Sequence, residues 1–291
     1  MNPKTENKPT AFLFVIACIA LWSFVPVVSK LGQQKLDHYQ FLFWSSLLSF
    51  AVLSATMMVA GKAQSLKNYD IKQLVTALGL GFLGAFLYYL LLYFGYANVS
   101  GLEVLVIQYT WPIFIVVFSV LFLKEKISGR NIIALFLGFS GVVIVLTKGD
   151  FSSLHLSNFT TDLIVLLAAA VFGLFSVLSK KANFEPFSAA ALFFLSATFF
   201  SFLAMLLFSS FATPATNELI PIFANGVFVN GFSYILWLLG LSYAKASFVA
   251  PLVFLTPILA AIWVVVFFHE AFLPAYFTGL ALVVCAGLVA K

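Results

Sequence analysis

The chain has 291 residues, of which 63% are hydrophobic and only 9% are charged. Soluble globular chains are nearer half apolar and a quarter charged, so this composition excludes an ordinary water-facing surface. The net charge of +5 comes from basic residues that lie between apolar segments and not in one patch, which argues against a nucleic-acid partner. The composition therefore predicts a protein embedded in a lipid bilayer.

Long unbroken apolar segments predict helices and not barrel strands. Residues 132–146 and 248–268 lack the polar–apolar alternation of a membrane β-barrel. Each helix that crosses a bilayer needs about 20 apolar residues, and the chain accommodates ten of them. We therefore predict an all-α polytopic membrane protein. The predicted spans are residues 11–31, 39–60, 73–95, 101–122, 131–147, 162–180, 187–209, 219–243, 248–268 and 274–290.

The basic residues predict the orientation of these spans. If the N-terminus is cytoplasmic, twelve of the fifteen Lys and Arg residues fall in cytoplasmic segments, and only Lys30, Lys35 and Lys148 fall outside. Cytoplasmic connections carry an excess of Lys and Arg in membrane proteins. We therefore expect both termini in the cytoplasm and, as location, the cytoplasmic (inner) membrane of a bacterium.

The two halves of the chain resemble each other. The segment 96–100 (YANVS) is similar to 243–247 (YAKAS), and other residue pairs follow in the same order. These pairs are Ser29-Lys30 with Ser179-Lys180, Gly79 and Gly84 with Gly226 and Gly231, and Pro112 and Glu125 with Pro257 and Glu270. They predict an N-terminal five-helix repeat over 1–150 and a C-terminal one over 151–291. Because five is odd, the halves insert in opposite orientations, as in many secondary transporters.

Ten spans, two repeats and a Pro-to-Glu ending on the fourth span of each half resemble the EamA-type drug/metabolite transporter superfamily. Glu103-Val104 followed by residues 108–112 (QYTWP) resembles a segment of the YddG-like aromatic amino-acid exporters in that superfamily. Here Gln108 and Thr110 replace the Asn and Leu of that segment. The resemblance implies a central cavity lined by the first, third and fourth spans of each half.

Several polar and aromatic residues within the spans are candidates for binding a substrate. Gln108 and Trp111 are three residues apart and share a helix face, where an amide and an indole suit a small molecule with polar and apolar parts. Polar side chains inside a membrane usually turn toward the protein interior. The further candidates are Asn230, Tyr234 and Trp237 on one face of the eighth span, Tyr88 and Tyr89 in the third, Trp22 in the first and Phe175 in the sixth.

Glu103 is the acidic residue that we place within a span, close to its outer end. Charges inside spans are rare and frequently functional. Glu103 is therefore predicted to meet a substrate ammonium group or a proton, although a solvated position at headgroup level is equally compatible with its place.

Four prolines lie inside predicted spans: Pro26, Pro112, Pro251 and Pro257. Proline lacks a backbone N–H, so the carbonyl four residues earlier loses its helical partner. We interpret these prolines as hinges, with static kinks as the alternative.

The leading functional hypothesis is a secondary transporter that exports amino acids or similar small metabolites by alternating access. A multidrug or nucleotide-sugar-like carrier is the alternative within transport, and a membrane enzyme or scaffold is a different class. The sequence shows no metal cluster, catalytic triad or phosphate-binding loop, so we expect no enzyme activity, no metal and no cofactor. A small-molecule substrate and the bilayer are the expected partners, and the sequence is compatible with a monomer.

Overall fold

The computed structural model describes residues 6–268 and 273–289, and these residues form helices and their connections without a strand. Nine helical stretches among them are long and apolar enough to cross a membrane, and a tenth apolar helix of 16 residues follows. The prediction of an all-α membrane protein is confirmed. The count of ten spans depends on that short last helix, because the others each have 18 residues or more.

We label the spans α1 to α10 in chain order. Two spans are each broken into two helices: α1a (Lys8–Trp22) with α1b (Val25–Gly32), and α4a (Gly101–Gln108) with α4b (Trp111–Leu123). The others are α2 (His38–Val59), α3 (Ile71–Asn98), α5 (Gly129–Leu146), α6 (Phe159–Ala182), α7 (Pro186–Phe208), α8 (Thr216–Tyr243), α9 (Ala246–Phe268) and α10 (Pro274–Val289).

Polar residues cap the helices where they enter the membrane. The carboxylates of Asp37 and Asp70 accept hydrogen bonds from the backbone N–H groups of Gln40 and Gln73, at the starts of α2 and α3. Ser128 does the same for α5. Such caps satisfy N–H groups that have no partner within the helix. The sequence therefore sets several helix starts through single residues.

The predicted proline positions coincide with interruptions in three spans. Pro26 and Pro112 lie in the first turns of α1b and α4b, directly after the breaks. In α9, Pro251 lies within a 3₁₀ turn (Ala250–Phe254), and Pro257 lies in the first turn of the helix that follows (Leu255–Phe268). Proline cannot donate to the preceding turn, so the helix reorganises there. That the prolines act as hinges remains a prediction.

Two π-helical segments occur at related places in the two halves: Phe82–Leu87 in α3 and Ala224–Phe232 in α8. The first segment contains Gly84 and the second contains Gly231, and these two glycines match each other in the sequence repeat. The absence of a side chain at Gly84 lets the Phe175 ring approach, since a Cβ there would lie 2.1 Å from it. π-Helical turns occur frequently at functional sites, and these two flank the middle of the bundle.

Helix pairing follows the repeat. Helix α2 packs against α7 and α5 against α10, so each pair joins one helix with its counterpart from the other half. The contact of α1 with α8 is matched by the contact of α6 with α3. The interrupted spans contact one another, because the 3₁₀ turn of α9 packs against both α4b and α1, and α4b also packs against α6. Glu270, predicted to match Glu125, lies outside the described residues.

Candidate substrate cavity

A cavity lies at the centre, where the breaks in α1 and α4 meet α3, α6 and α9. Five of the predicted binding residues line it, together with the predicted hinge residue Pro26; these five are Trp22, Tyr88, Tyr89, Gln108 and Trp111. The proline break in α4 positions two of them, because Gln108 ends α4a and Trp111 begins α4b. The sequence thus identified residues from three helices that meet in one place.

Gln108 provides a polar edge to this cavity. Its Nε2 donates to the hydroxyl of Tyr88 at 2.7 Å, and the hydroxyl of Tyr96 donates to its Oε1 at 3.4 Å. A buried amide needs such partners, because an unpaired one is costly. The Tyr88–Gln108–Tyr96 chain links α3 with α4a and presents amide and hydroxyl groups to a ligand.

Aromatic rings form another part of the cavity lining, and one of them, Phe172, contacts the Tyr88 ring. Trp111 lies edge-on to Phe172, with ring centroids 5.0 Å apart, and edge-on to Trp22 at 5.9 Å. The indole N–H of Trp22 donates to Ser233 Oγ at 2.8 Å, so its polar atom is satisfied by α8. Edge-to-face packing of this kind holds rings in defined orientations. The wall can therefore offer apolar edges and π faces to a ligand.

The central cavity is small and continues toward one end of the bundle. It offers about 40 Å³, whereas sites for small molecules usually have about 300–1,000 Å³. A second cavity of about 400 Å³ shares Pro26, Leu105 and Tyr109 with it and extends to Gly101 and Lys148. Gly101 and Lys148 lie at the predicted outer end. A ligand larger than water therefore needs side-chain movement at the centre, and the second cavity leads from there to the end of the bundle at Gly101 and Lys148.

At the predicted cytoplasmic end, charged side chains connect neighbouring spans by forming hydrogen bonds with their backbone groups. The Lys180 ammonium at the end of α6 donates to the carbonyls of Leu241 and Ala244 at the end of α8. The Glu125 carboxylate accepts from the backbone N–H groups of Ala246 and Ser247 at 2.9 and 3.0 Å. Glu125 follows α4b, as expected for a residue that marks a helix end. These contacts connect four spans below the cavity.

Five predicted binding residues do not line the cavity. Trp237 packs against Trp22, with ring centroids 5.2 Å apart, and donates its indole N–H to Ser176 Oγ. Tyr234 donates to the Gly84 carbonyl at 2.8 Å. Three more lie elsewhere: Phe175 against Gly84, Asn230 fully buried in the π-helical segment of α8, and Glu103 near the outer end of α4a. Trp237, Tyr234 and Phe175 contact the rings of Trp22 and Phe172 and so support the cavity wall from behind.

Sequence reasoning missed several lining residues: Tyr96, Tyr109, Phe172 and Thr256. Tyr109 is adjacent to Gln108, and Tyr96 begins the repeated segment 96–100, so both had a signal nearby. Phe172 had none, because it is one of 36 Phe residues. It lies three residues before the predicted Phe175, so the prediction selected the correct helix but the wrong residue.

Comparison with known proteins identifies the family. Residues 9–147 and 159–290 each match the model of the EamA-like transporter family. The chain belongs to this family. It is an integral membrane transporter with two EamA repeats, as the sequence predicted, and the family implies a small-molecule substrate.

Several curated relatives cover most of the chain. The aromatic amino acid exporter YddG of Ancylobacter novellus is 23% identical over 89% of this chain and 89% of its own. The uncharacterized transporter YoaV of Bacillus subtilis is 26% identical over 95% of this chain and 94% of its own. YddG of Escherichia coli is 26% identical over 66% of this chain and 68% of its own. The fold is shared with a crystal structure that superposes with a TM-score of 0.86 at 21% identity, over 98% of this chain and 97% of the other.

Proposed function

We propose that this EamA protein exports amino acids with apolar, chiefly aromatic, side chains by alternating access. The observation that carries the proposal is the central cavity, in which Trp22, Trp111 and Phe172 face a polar edge formed by Gln108 and Tyr88. Two of the similar proteins are named aromatic amino acid exporters. We extend that substrate class to this chain because the cavity offers both aromatic rings and hydrogen-bonding groups.

The cavity offers a partner for each part of such a substrate. The aromatic rings provide apolar edges for the side chain and π faces for the ammonium group. Helices α1b and α4b begin beside the cavity at Val25 and Trp111, and no side chain caps their first N–H groups. Helix N-termini at such breaks favour negative groups. We assign the substrate carboxylate to this place and the α-amino group to the Gln108–Tyr88 edge.

An exchange assay tests the substrate class. Purified protein is reconstituted in proteoliposomes loaded with unlabelled compound, and entry of radiolabelled compound is followed. We expect exchange of phenylalanine and tryptophan, weaker exchange of alanine, and none of lysine or glutamate. A nucleotide sugar and a lipophilic cation test the two alternative carrier classes. Exchange of either of those without phenylalanine exchange would contradict the proposal.

We further propose that both termini are cytoplasmic, that the protein lies in a bacterial cytoplasmic membrane and that it catalyses no chemical reaction. The distribution of Lys and Arg supports the topology. A reporter fused after residue 291 should report a cytoplasmic location, whereas a fusion after Lys35 should report the outer side. If the two reporters gave the opposite locations, the topology would be inverted and the proposed direction of transport would be reversed.

One chain supplies all the walls of the cavity described above. We therefore propose that the monomer is the transport unit. Light scattering of the purified protein, corrected for detergent, should give the mass of one chain, and reconstitution at low protein-to-lipid ratio should retain exchange.

A further inference from the structure

A further cavity of about 350 Å³ lies at the predicted cytoplasmic end and shares no lining residue with the central cavity. Three segments that are distant in the sequence enclose it: the start of α1a, the connection from α4b into α5, and the connection from α8 into α9. Of the described residues that line it, four are basic and one, Glu6, is acidic. The basic residues are Lys8, Lys126, Arg130 and Lys245. The cavity is therefore strongly electropositive.

Hydrogen bonds hold these three segments against one another. The backbone N–H of Asn7 donates to the Tyr243 carbonyl at 2.8 Å, which joins the start of α1a to the end of α8. The amide Nδ2 of Asn131, in the first turn of α5, donates to the Ser247 carbonyl at the start of α9 at 3.3 Å. The packing of the helices thus gathers the basic residues around one space, although they lie far apart in the chain.

This concentration of charge exceeds what the orientation of the chain requires. Basic residues anywhere in cytoplasmic connections satisfy the rule that orients membrane proteins, and Lys67 and Lys72 do so without lining the cavity. Like charges around one space repel each other. The side chains of Lys126, Arg130 and Lys245 are exposed, so they are accessible to a ligand from outside the protein. A negatively charged ligand would relieve their repulsion.

Exposed apolar side chains continue from the basic residues toward the membrane interior on two of the helices. On α5, Ile133 follows Arg130 by three residues, and Phe136 follows three residues later. On α1a, Phe12 follows Lys8 by four residues. Residues three or four apart share a helix face, and such exposed apolar faces of a membrane helix contact acyl chains. The order of charge and then apolar surface matches the headgroup and the chains of a phospholipid.

We propose that this cavity binds the phosphate group of an anionic phospholipid, with the acyl chains along α1a and α5. The planar guanidinium of Arg130 suits two phosphate oxygens, and the ammonium groups of Lys126 and Lys245 add positive charge. Basic pockets between helices on the cytoplasmic side bind such headgroups in other membrane proteins. The bound headgroup ties the starts of α1a, α5 and α9 together, at the end where Lys180 and Glu125 also connect spans.

Native mass spectrometry of the delipidated protein, titrated with phosphatidylglycerol or phosphatidylcholine of equal chain length, tests the binding. We expect phosphatidylglycerol to bind more tightly than the zwitterionic lipid. One basic side chain near a membrane surface contributes about fivefold to affinity, so Arg130→Gln combined with Lys245→Gln should weaken binding on the order of 25-fold. Lys67→Gln combined with Lys72→Gln is the matched control, because it removes two charges from the same predicted side. Equal affinity for the two lipids, or an equal loss in both double variants, would overturn the proposal.

The charge-retaining variant Arg130→Lys combined with Lys245→Arg separates lost binding from lost folding. It should bind phosphatidylglycerol within a few-fold of wild type, on the order of what a change of geometry at constant charge costs. A loss as large as in the double glutamine variant would show that the substitutions act by disturbing the fold, and the basic side chains would not be ligands.

Thermal unfolding in detergent distinguishes a lipid from a soluble phosphate. Phosphatidylglycerol should raise the midpoint temperature of wild type, because a ligand that binds the folded state stabilises it. Inorganic phosphate at equal ionic strength should not, since it has no acyl chains to place along α1a and α5. If inorganic phosphate raises the midpoint as much as the lipid does, the occupant is a soluble anion and the lipid assignment is wrong.

The site stands apart from the proposed substrate. Neither measurement uses a transported compound, so absence of amino-acid exchange would reject the proposed function and leave the lipid site standing. Failure of phosphatidylglycerol to bind would reject the lipid site and leave the transport proposal intact.

Discussion

The two ends of the bundle are built from related sequences but are held together differently. At the predicted cytoplasmic end, Lys180 and Glu125 bind backbone groups of α8 and α9 directly. At the predicted outer end, a cavity of about 400 Å³ opens beside α1b and α4a, and the Glu103 carboxylate of α4a accepts from the N–H and hydroxyl of Ser157, just before α6. The repeat predicts that Lys30 and Glu270 are the counterparts of Lys180 and Glu125. Taken with the predicted topology, we infer from this difference an outward-directed state of the proposed alternating-access cycle, and the following experiments test that inference.

We expect the largest loss of transport from substitutions in the central cavity, which lies between the two ends. Trp111→Ala removes a ring that contacts both Trp22 and Phe172. Truncation of a central aromatic anchor costs about 2 kcal/mol or more, so phenylalanine exchange should fall by about tenfold or more, and Gln108→Ala should cause a similar loss. Trp44→Ala is the matched control, since Trp44 lies on α2 and donates to the Ala212 carbonyl away from the cavity. A loss of transport that matches the loss of folded protein would mean that these residues only pack.

Lys180→Met should open the cytoplasmic end. The substitution removes the ammonium that satisfies two carbonyls of α8, and hydrogen bonds to charged groups contribute about 1.5–3 kcal/mol each. The reporter is Ser176→Cys, placed at a fully buried position in a background with Cys18→Ala and Cys285→Ala. Labelling by a membrane-impermeant maleimide from the cytoplasmic side should rise by about tenfold. Lys181→Met is the control on the neighbouring residue, and equal labelling of both variants would exclude Lys180 as a closing contact.

Pro112→Ala and Pro257→Ala should shift access in opposite directions. Each allows one backbone hydrogen bond to form, worth about 0.5–1.5 kcal/mol, in spans that the repeat places in opposite orientations. We expect few-fold changes in the labelling of cysteines at the two ends, with opposite signs for the two variants. Changes of the same sign would show that the prolines are static kinks.

Glu125→Gln should have the smallest effect. The amide oxygen still accepts one hydrogen bond from the start of α9, but the negative charge near that helix N-terminus is lost, which costs about 0.3–1 kcal/mol. Labelling of the Ser176→Cys reporter should therefore rise less than in Lys180→Met. A larger rise than in Lys180→Met would reverse the assigned ranking of the two contacts.

The sequence by itself determined the membrane spans, their breaks and part of the cavity. Apolar length defines a helix in a bilayer locally, and proline ends or bends it without reference to other helices. Gln108 and Trp111 were recognisable because they lie three residues apart, directly before the helix-breaking Pro112.

Only the tertiary structure decided which residues of different helices meet. Phe172 and Phe175 are chemically identical and one turn apart, but Phe172 faces the cavity while Phe175 packs on Gly84. Asp162 was not among the residues singled out from the sequence, yet the structure buries it in the first turn of α6. Periodicity describes the faces of one helix, whereas the neighbour of each face depends on the packing of all ten. Which residues are buried against which neighbours is therefore decided only when the helices assemble.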